Sequence, residues 1–337
     1  MAEQYPRAVL AIDTTPLRRP RRARGLLVVA LCTTVAGAAG TFAAAHRAVG
    51  DVPRVKAVAA VLSQNSSVVD NYLLVGSDSR AAGDPNTGGT AGDVTGNRSD
   101  TIMVLRIDRN SGHAALLSIP RDLYVTTSAR TGRINGAYND GAAALVTAVQ
   151  EALQLPVHHY VEIDFSGFRT LVDALGGVVV CFDLPARDKN TGLDIPVAGC
   201  HLLNGTSALA YARSRHYEEL LDGTWNEDPT SDLGRSRRQR DFVNRTLRTA
   251  LDRVKSDPFQ AGSLVHSMGA AIAIDGTLDP IDAASTLRTA VDAGLVTYSL
   301  PVVPKKIGGA DVLVLGDGAD AVLNYFRGTG PEPAPGS

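Results

Sequence analysis

Hydrophobic and polar positions alternate along the chain in short blocks whose periods predict its elements. NYLLVGS (71–77) is a compact apolar run that stops at Asp78, the pattern of a buried strand. TIMVLRID (101–108) and HAALLSI (113–119) flank the polar turn Arg109–Gly112 and predict a hairpin, with Pro120 ending its second strand. Apolar residues at helical spacing over Tyr138–Leu155 predict a helix that stops before Pro156. HYVEID (159–164) reads as a strand, Phe165–Leu175 as a helix closed by Gly176 and Gly177, and VVVCF (178–182) as a further strand. Helices follow over Ser207–Arg215, Arg235–Val254 (long and basic) and Asp279–Ala293, then strands near 296–303 and 311–315 and a last helix over 317–326. This alternation after an opening hairpin predicts an α/β fold, an α/β/α sandwich around one central mixed sheet. Gly83–Asn97 is a Gly-rich loop with almost no core-forming residue, and no internal repeat or second domain boundary is evident.

The N-terminus adds a membrane segment. Gly25–Ala45 runs for 21 residues without a charge, about 30 Å of helix and so the depth of a bilayer core. Arg18, Arg19, Arg21, Arg22 and Arg24 precede it, which keeps that flank in the cytoplasm and sends the remainder outward. A cleaved signal peptide is the rival reading, but its apolar region of about 7–15 residues is shorter. The predicted organisation is a cytoplasmic tail (1–24), a single transmembrane anchor (25–45), a polar, partly helical stalk (46–70), an extracytoplasmic globular domain (71–327) and a disordered tail (328–337).

Composition narrows the class. The chain has 337 residues, 44% apolar and 20% charged, with net charge −2; it is large enough for a packed core and unlike a disordered or nucleic-acid-coating chain. Of 33 basic side chains 28 are arginine, so their positions carry more information than their number. Cys32 lies inside the apolar run. Cys181 and Cys200 lie in the exported part, where a disulfide persists, and no His or Cys stands at zinc-like spacing.

Acids and arginines gather at predicted strand ends and loops. Asp78 follows the first strand and Asp100 opens the second, with Arg80 and Arg98 flanking the loop between them. Arg121 and Asp122 follow Pro120; Arg133 and Asn135 lie in the next loop; Arg213 and Arg215 stand at a helix end. Asp232, Arg235, Arg238 and Gln239 belong to DLGRSRRQ at the start of the long helix. Two carboxylates at neighbouring strand termini suit Mg²⁺, or Mn²⁺, which leaves places for phosphate oxygens. Arginine forks match those oxygens bidentately, so the set describes a metal-assisted diphosphate site. Asp78 as a turn cap and Asp232 as a helix cap are the plainer readings. Arg237 and Arg240 are assigned to a solvated face, and the isolated His158, His159 and His216 to structural or surface roles. No dinucleotide fingerprint, Walker loop or nucleophile elbow stands in a suitable setting.

Taken in order, NYLLVGSDSR (71–80), RSDTIMVLRID (98–108), LLSIPRDLYV (116–125), RINGAYNDGAAALVTAVQEAL (133–153), VEIDFSGFRTLVDALGGVVV (161–180), LNGTSALAYARSRH (203–216) and DLGRSRRQRDFV (232–243) resemble the LytR-CpsA-Psr family of bacterial cell-envelope proteins. The resemblance implies transfer of a glycopolymer from a polyprenyl-diphosphate carrier to the C6 hydroxyl of N-acetylmuramic acid in peptidoglycan, leaving a phosphodiester. It implies that Asp78 and Asp100 hold the metal, and that Arg121, Asp122, Arg213 and Arg215 form the catalytic group. Arg80, Arg98, Arg133, Arg235, Arg238 and Gln239 then surround the diphosphate. Asp122 either orients Arg121 or accepts a proton; the general base is unassigned. Val146, Leu153, Phe168, Leu171, Val172 and Leu175 are the candidates for an apolar tunnel around the polyprenyl tail, with ordinary core as the plainer reading. The implied partners are the lipid-linked glycopolymer, peptidoglycan and the membrane, with no nucleic acid. Arabinogalactan, teichoic-acid-like polymers and capsular polysaccharide fit the arginines equally. The alternatives are a polyprenyl-diphosphate pyrophosphatase, with water as acceptor, and an envelope-associated regulator without transfer activity.

Overall fold

The computed structural model describes residues 52–64, 68–77, 99–230, 232–256, 271–280, 282–283, 285–286, 288 and 294–334. The anchor at 25–45, the cytoplasmic tail, Asp78, Arg80 and Arg98 lie outside them, as do the side chains of Asp100 and Asp232.

In chain order, β1 (Arg54–Val55), β2 (Val69–Ser77), β3 (Ser99–Asp108) and β4 (Ala114–Ile119) precede a small hairpin of β5 (Tyr124–Thr126) and β6 (Thr131–Arg133). A 3₁₀ segment (Ile134–Asp140), α1 (Ala142–Leu153), β7 (His159–Asp164) and α2 (Phe165–Ala174) follow. Next come β8 (Val178–Phe182), β9 (Ala186–Asp188), β10 (Leu193–Ile195), β11 (Gly199–Leu203) and α3 (Gly205–Arg213). The chain continues through β12 (Glu218–Leu221), β13 (Thr224–Glu227), α4 (Asp232–Ser256), β14 (Ile272–Asp275), β15 (Leu295–Ser299), β16 (Val302–Ile307), β17 (Ala310–Leu315) and α5 (Ala319–Arg327).

Among the described residues, seven strands form the central sheet in the order β1–β14–β7–β2–β3–β4–β15. It is mixed: β2 runs parallel to β7 and β4 parallel to β15, while β3 is antiparallel to both β2 and β4. The expected two-layer cover is present because strand side chains alternate faces. Leu73, Val75, Ile102, Val104 and Leu117 pack into a core with Leu145 and Val149 of α1 and Val322 and Phe326 of α5. Their neighbours Tyr72, Met103, Leu105 and Leu116 face the other way, against Val243 and Leu247 of α4. β2 is buried on both sides, so it reads as one apolar run instead of an alternation.

Two boundaries differ from the sequence reading. Residues 52–64, read as stalk, pack on the domain: Arg54 and Val55 pair with β14, Val58 is fully buried, and Ser63 donates to the Val157 carbonyl. Tyr138 lies in the 3₁₀ segment; the α-helix begins only after Gly141, whose φ of 103° breaks helical geometry there.

A second core lies under β8–β11, where Val178, Val180 and Phe182 meet Val172 of α2, Tyr211 of α3 and Phe242 of α4. Cys181 and Cys200 stand opposite each other in the β8–β11 ladder and are disulfide-bonded.

Candidate active site

The parallel and antiparallel pairings bring the C-terminal ends of β2, β4, β7 and β15 and the N-terminal end of β3 to one edge of the sheet. Ser77 is in register with Asp164 on one side and with Ser99 on the other. Gly76 pairs with Thr101 and Ser77 with Ser99, so Asp100 is the extra residue of a β-bulge. Bulges interrupt the ladder and re-aim a strand end, and they recur beside active sites. Gly76 allows a close approach here: a Cβ would lie 3.0 Å from Thr101 Cβ, so that side chain would have to shift.

Past β4 at the same edge, Arg121 and Arg133 both approach Asp122. Arg121 Nε lies 3.5 Å from Asp122 Oδ2 and Arg133 Nε 3.4 Å from Asp122 Oδ1. The Asp122 carbonyl accepts from Leu313 N of β17 at 3.0 Å, and the Arg121 carbonyl from Asn135 N at 3.2 Å. Arg133 also donates to the Asp311 carbonyl at 2.8 Å. Asp122 thereby holds two guanidinium groups side by side, which suits it to orienting Arg121.

The second cluster is the corner where α3 ends. Its foundation is Asp188 at the end of β9, which is fully buried. One carboxylate oxygen accepts from Ser214 Oγ at 2.6 Å and from the backbone N–H groups of Arg215 and His216 at 3.1 Å each. The other accepts from Asn190 N at 2.8 Å. Burial works to raise this carboxyl, and the donations from Ser214, Asn190 and His216 outweigh it, leaving it below the usual range. From α4, Arg238 donates to the Ser214 carbonyl at 2.8 Å and to Asp228 at 2.9 Å, and stacks over Tyr217 at 4.4 Å. Gln239 donates to the Ala212 carbonyl at 3.0 Å. The corner from 212 to 216 is therefore clamped from two sides. It presents Arg213, exposed and 4.5 Å over the ring of Phe165, the first residue of α2, and the half-buried Arg215.

The Asp188 clamp predicts a stability loss. Asp188→Ala strands at least four donors, and a buried donor left unpaired costs about 1–3 kcal/mol; because water reaches the part-buried backbone N–H groups, a total of about 3–4 kcal/mol is expected. Because the folded carboxyl titrates below its unfolded value of about 3.9, this contribution is present above that pH and disappears as pH falls through the folded value. Urea unfolding of wild type and variant should differ widely at pH 7 and converge on acidification; a constant difference at all pH values would refute the assignment.

The sequence model of the LytR_cpsA_psr family matches residues 33–324. The chain belongs to the LytR-CpsA-Psr family. It is 35% identical to the probable cell wall biosynthesis protein LcpB of Corynebacterium glutamicum, over 76% of this chain and 61% of that protein. It is 32% identical to the polyisoprenyl-teichoic acid–peptidoglycan teichoic acid transferase TagU of Halalkalibacterium halodurans, over 62% of each. The chain thus spans about three-fifths of the length of these curated relatives. Among solved structures, a LytR-Csp2A-Psr enzyme from Actinomyces oris superposes with a TM-score of 0.65 at 25% identity, covering 82% of this chain and 96% of that one. TagT of B. subtilis shares the fold, with a TM-score of 0.57 at 20% identity over 82% of this chain and 98% of that one.

Within this LytR-CpsA-Psr domain the residues singled out from sequence take distinct places. Arg121, Asp122 and Arg133 form one cluster; the exposed Arg213 and the half-buried Arg215 form the lip of another. Arg238 and Gln239 grip the backbone of that lip, and Arg235 is buried beside them. The lipid-tunnel candidates do not share one surface. Val146 and Leu153 belong to the α1 core, whereas Val172 and Phe168 belong to the core under β8–β11. Leu175 is buried and Leu171 half-buried. Arg237 is exposed as expected, but Arg240 is not on the solvated face: it is half-buried and donates to Ser299 Oγ at 3.2 Å, at the end of β15. Burial, then the neighbouring Arg237, lowers its pKa. Sequence reasoning missed Asp188 because ARD (186–188) carries no spacing that links it to residues 214–216; only the β9–β12 pairing does.

Proposed function

We propose that this chain is a membrane-anchored phosphotransferase that moves a glycopolymer from a polyprenyl-diphosphate carrier onto the muramic acid 6-hydroxyl of peptidoglycan. The observation that carries this reading is the pair of arginine clusters: Arg121 and Arg133 gathered on Asp122, and Arg213 and Arg215 on a corner pinned by Asp188. Fixed guanidinium groups neutralise charge on a diphosphate and on the phosphate that leaves it. The teichoic acid–peptidoglycan transferase TagU, among the relatives, carries such a reaction in its name.

In the reaction, the acceptor hydroxyl attacks the phosphorus that bears the polymer. The bond from that phosphorus to the bridging oxygen breaks, and polyprenyl phosphate departs. Arg213 and Arg215, on a backbone held by Asp188, Arg238 and Gln239, bind the diphosphate oxygens. Arg121, oriented by Asp122, stabilises charge on the departing phosphate. Asp78 follows Ser77 in the sequence and Asp100 is the bulge residue of the neighbouring strand; as two hard oxygen donors their carboxylates would suit Mg²⁺ or Mn²⁺. When bound there, the ion supplies charge neutralisation to the diphosphate. Residues 25–45 supply the anchor, with the domain outside the cell membrane.

The test is a product assay of the full-length protein with a polyprenyl-diphosphate-linked polymer. Phosphodiester-linked polymer should form only with peptidoglycan and divalent metal present. Release of polymer phosphate at the same rate without acceptor would identify a pyrophosphatase instead. No turnover of the carrier under either condition would favour a regulator.

A further inference from the structure

Beside the arginine corner, Lys189, Asn190, His216, Glu218 and Glu227 line an open polar cleft. It lies between the turn after β9 and the β12–β13 hairpin. His216 follows Arg215 directly, and the backbone N–H groups of both residues donate to the same Asp188 oxygen. The His216 backbone is therefore fixed directly beside that of Arg215, an arginine of the proposed diphosphate clamp. Its Nδ1 is 2.7 Å from Glu227 Oε1 on β13. A carboxylate has no proton to give at neutral pH, so Nδ1 carries the hydrogen and donates it, and the basic lone pair falls to Nε2. Both side chains remain more than half exposed, at 60% for His216 and 54% for Glu227, so a substrate hydroxyl has access to the ring.

The other charged groups around this pair are already accounted for or point to the same role. Glu218 is bound to Arg187 Nε at 2.6 Å, and Arg187 stacks 4.0 Å over Trp225. Asp188 is saturated by its donors. Lys189 and Asn190 add donors suited to the hydroxyl and amide oxygens of an amino-sugar glycan.

We propose that this cleft receives the hydroxyl-bearing glycan acceptor and that His216, oriented by Glu227, takes the proton from the attacking hydroxyl; the inference rests on the transferase reading above. In this step the O–H proton moves to Nε2, the freed oxygen forms the new bond to phosphorus, and the bond to the bridging oxygen breaks. The imidazolium is stabilised by Glu227 and by Glu218, and opposed by Lys189, Arg187 and Arg215. It returns its proton to solvent or to the departing phosphate. Position-matched general bases contribute about 10²–10⁴-fold to rate.

The experiment compares wild type, His216→Gln, His216→Asn and Glu227→Gln, full-length in detergent, for transfer to peptidoglycan across pH 5–9. Binding of the lipid diphosphate and the melting temperature are measured alongside. The proposal expects both His216 variants to lose at least 100-fold in kcat and to lose the acid limb of the pH profile, with diphosphate binding and melting temperature unchanged. Glu227→Gln should lower kcat by less than the His216 variants, because the amide oxygen still accepts from Nδ1 while the charge that stabilises the imidazolium is lost. Wild-type rate and an intact acid limb in both His216 variants would overturn the proposal and leave the transferase reading standing. If wild-type protein transfers nothing, the transferase reading fails and this inference falls with it. A lower kcat in the His216 variants with the acid limb retained would also overturn it, since a purely structural histidine moves the rate but not the limb.

Discussion

Replacing Asp78 or Asp100 with alanine is expected to abolish metal-dependent transfer. The proposed metal site has only two protein carboxylates, and Mg²⁺ gives up its hydration shell reluctantly, so one carboxylate leaves the ion to water. The fold makes the pair credible. β2 and β3 are neighbours, Ser77 is in register with Ser99, and the bulge at Asp100 interrupts the ladder at the level of the strand end. Asp78 follows the last residue of β2 in sequence and Asp100 is the unpaired bulge residue, so stability should change little. Transfer rate against Mg²⁺ concentration, with thermal melting as a control, is the measurement. Wild-type transfer at the same metal concentration in either variant would remove the metal from the proposed site.

Arg121→Lys, Arg213→Lys and Arg215→Lys should each lower transfer by about 10²–10³-fold, the loss typical of removing one preorganised donor to a developing negative charge, about 2.7–4 kcal/mol. Charge is conserved in all three, so a purely electrostatic steering role predicts small effects. The larger loss follows from geometry: lysine lacks the planar fork that binds two phosphate oxygens at once. It also loses the contact that seats Arg213 over the Phe165 ring and the arrangement that sets Arg121 on Asp122. Arg237→Lys is the control, because Arg237 is exposed on the same helix that carries Arg238. Retained rates in the three site variants, or equal damage in Arg237→Lys, would show that the clamp is not at these positions. Arg238→Lys separates two roles: as a residue that grips Ser214 and Asp228 it should lower the melting temperature together with the rate.

The strands over 71–77, 101–108 and 159–164 are legible in the sequence because each is a short run of strand-favouring residues bounded by turn or breaker residues. Their observed spans, Val69–Ser77, Ser99–Asp108 and His159–Asp164, differ at most by a turn residue or two. The family and the mixed α/β architecture are legible for a related reason: motifs at strand ends keep their order even when the loops between them vary. Arg121 with Asp122, and Arg213 with Arg215, are visible as local pairs.

Local pattern thus specifies most elements and the residues at their ends. Contacts across long separations follow from the packed fold. Asp188 lies 26 residues from Ser214 and looks like any acid in a short strand, yet the β9–β12 pairing makes it the floor of the arginine corner. Arg237 and Arg240 look alike in a basic helix; a helix turns about 100° per residue, so three positions on, Arg240 comes round to Ser299 while Arg237 stays in solvent. Val146 and Phe168 are equally apolar in sequence but fall into separate cores, because α1 covers one face of the central sheet and α2 packs with β8–β11. Local pattern fixes a residue's immediate secondary structure through backbone sterics and side-chain period. Partnership depends on strand order and helix rotation, which are set by the burial of the whole chain at once.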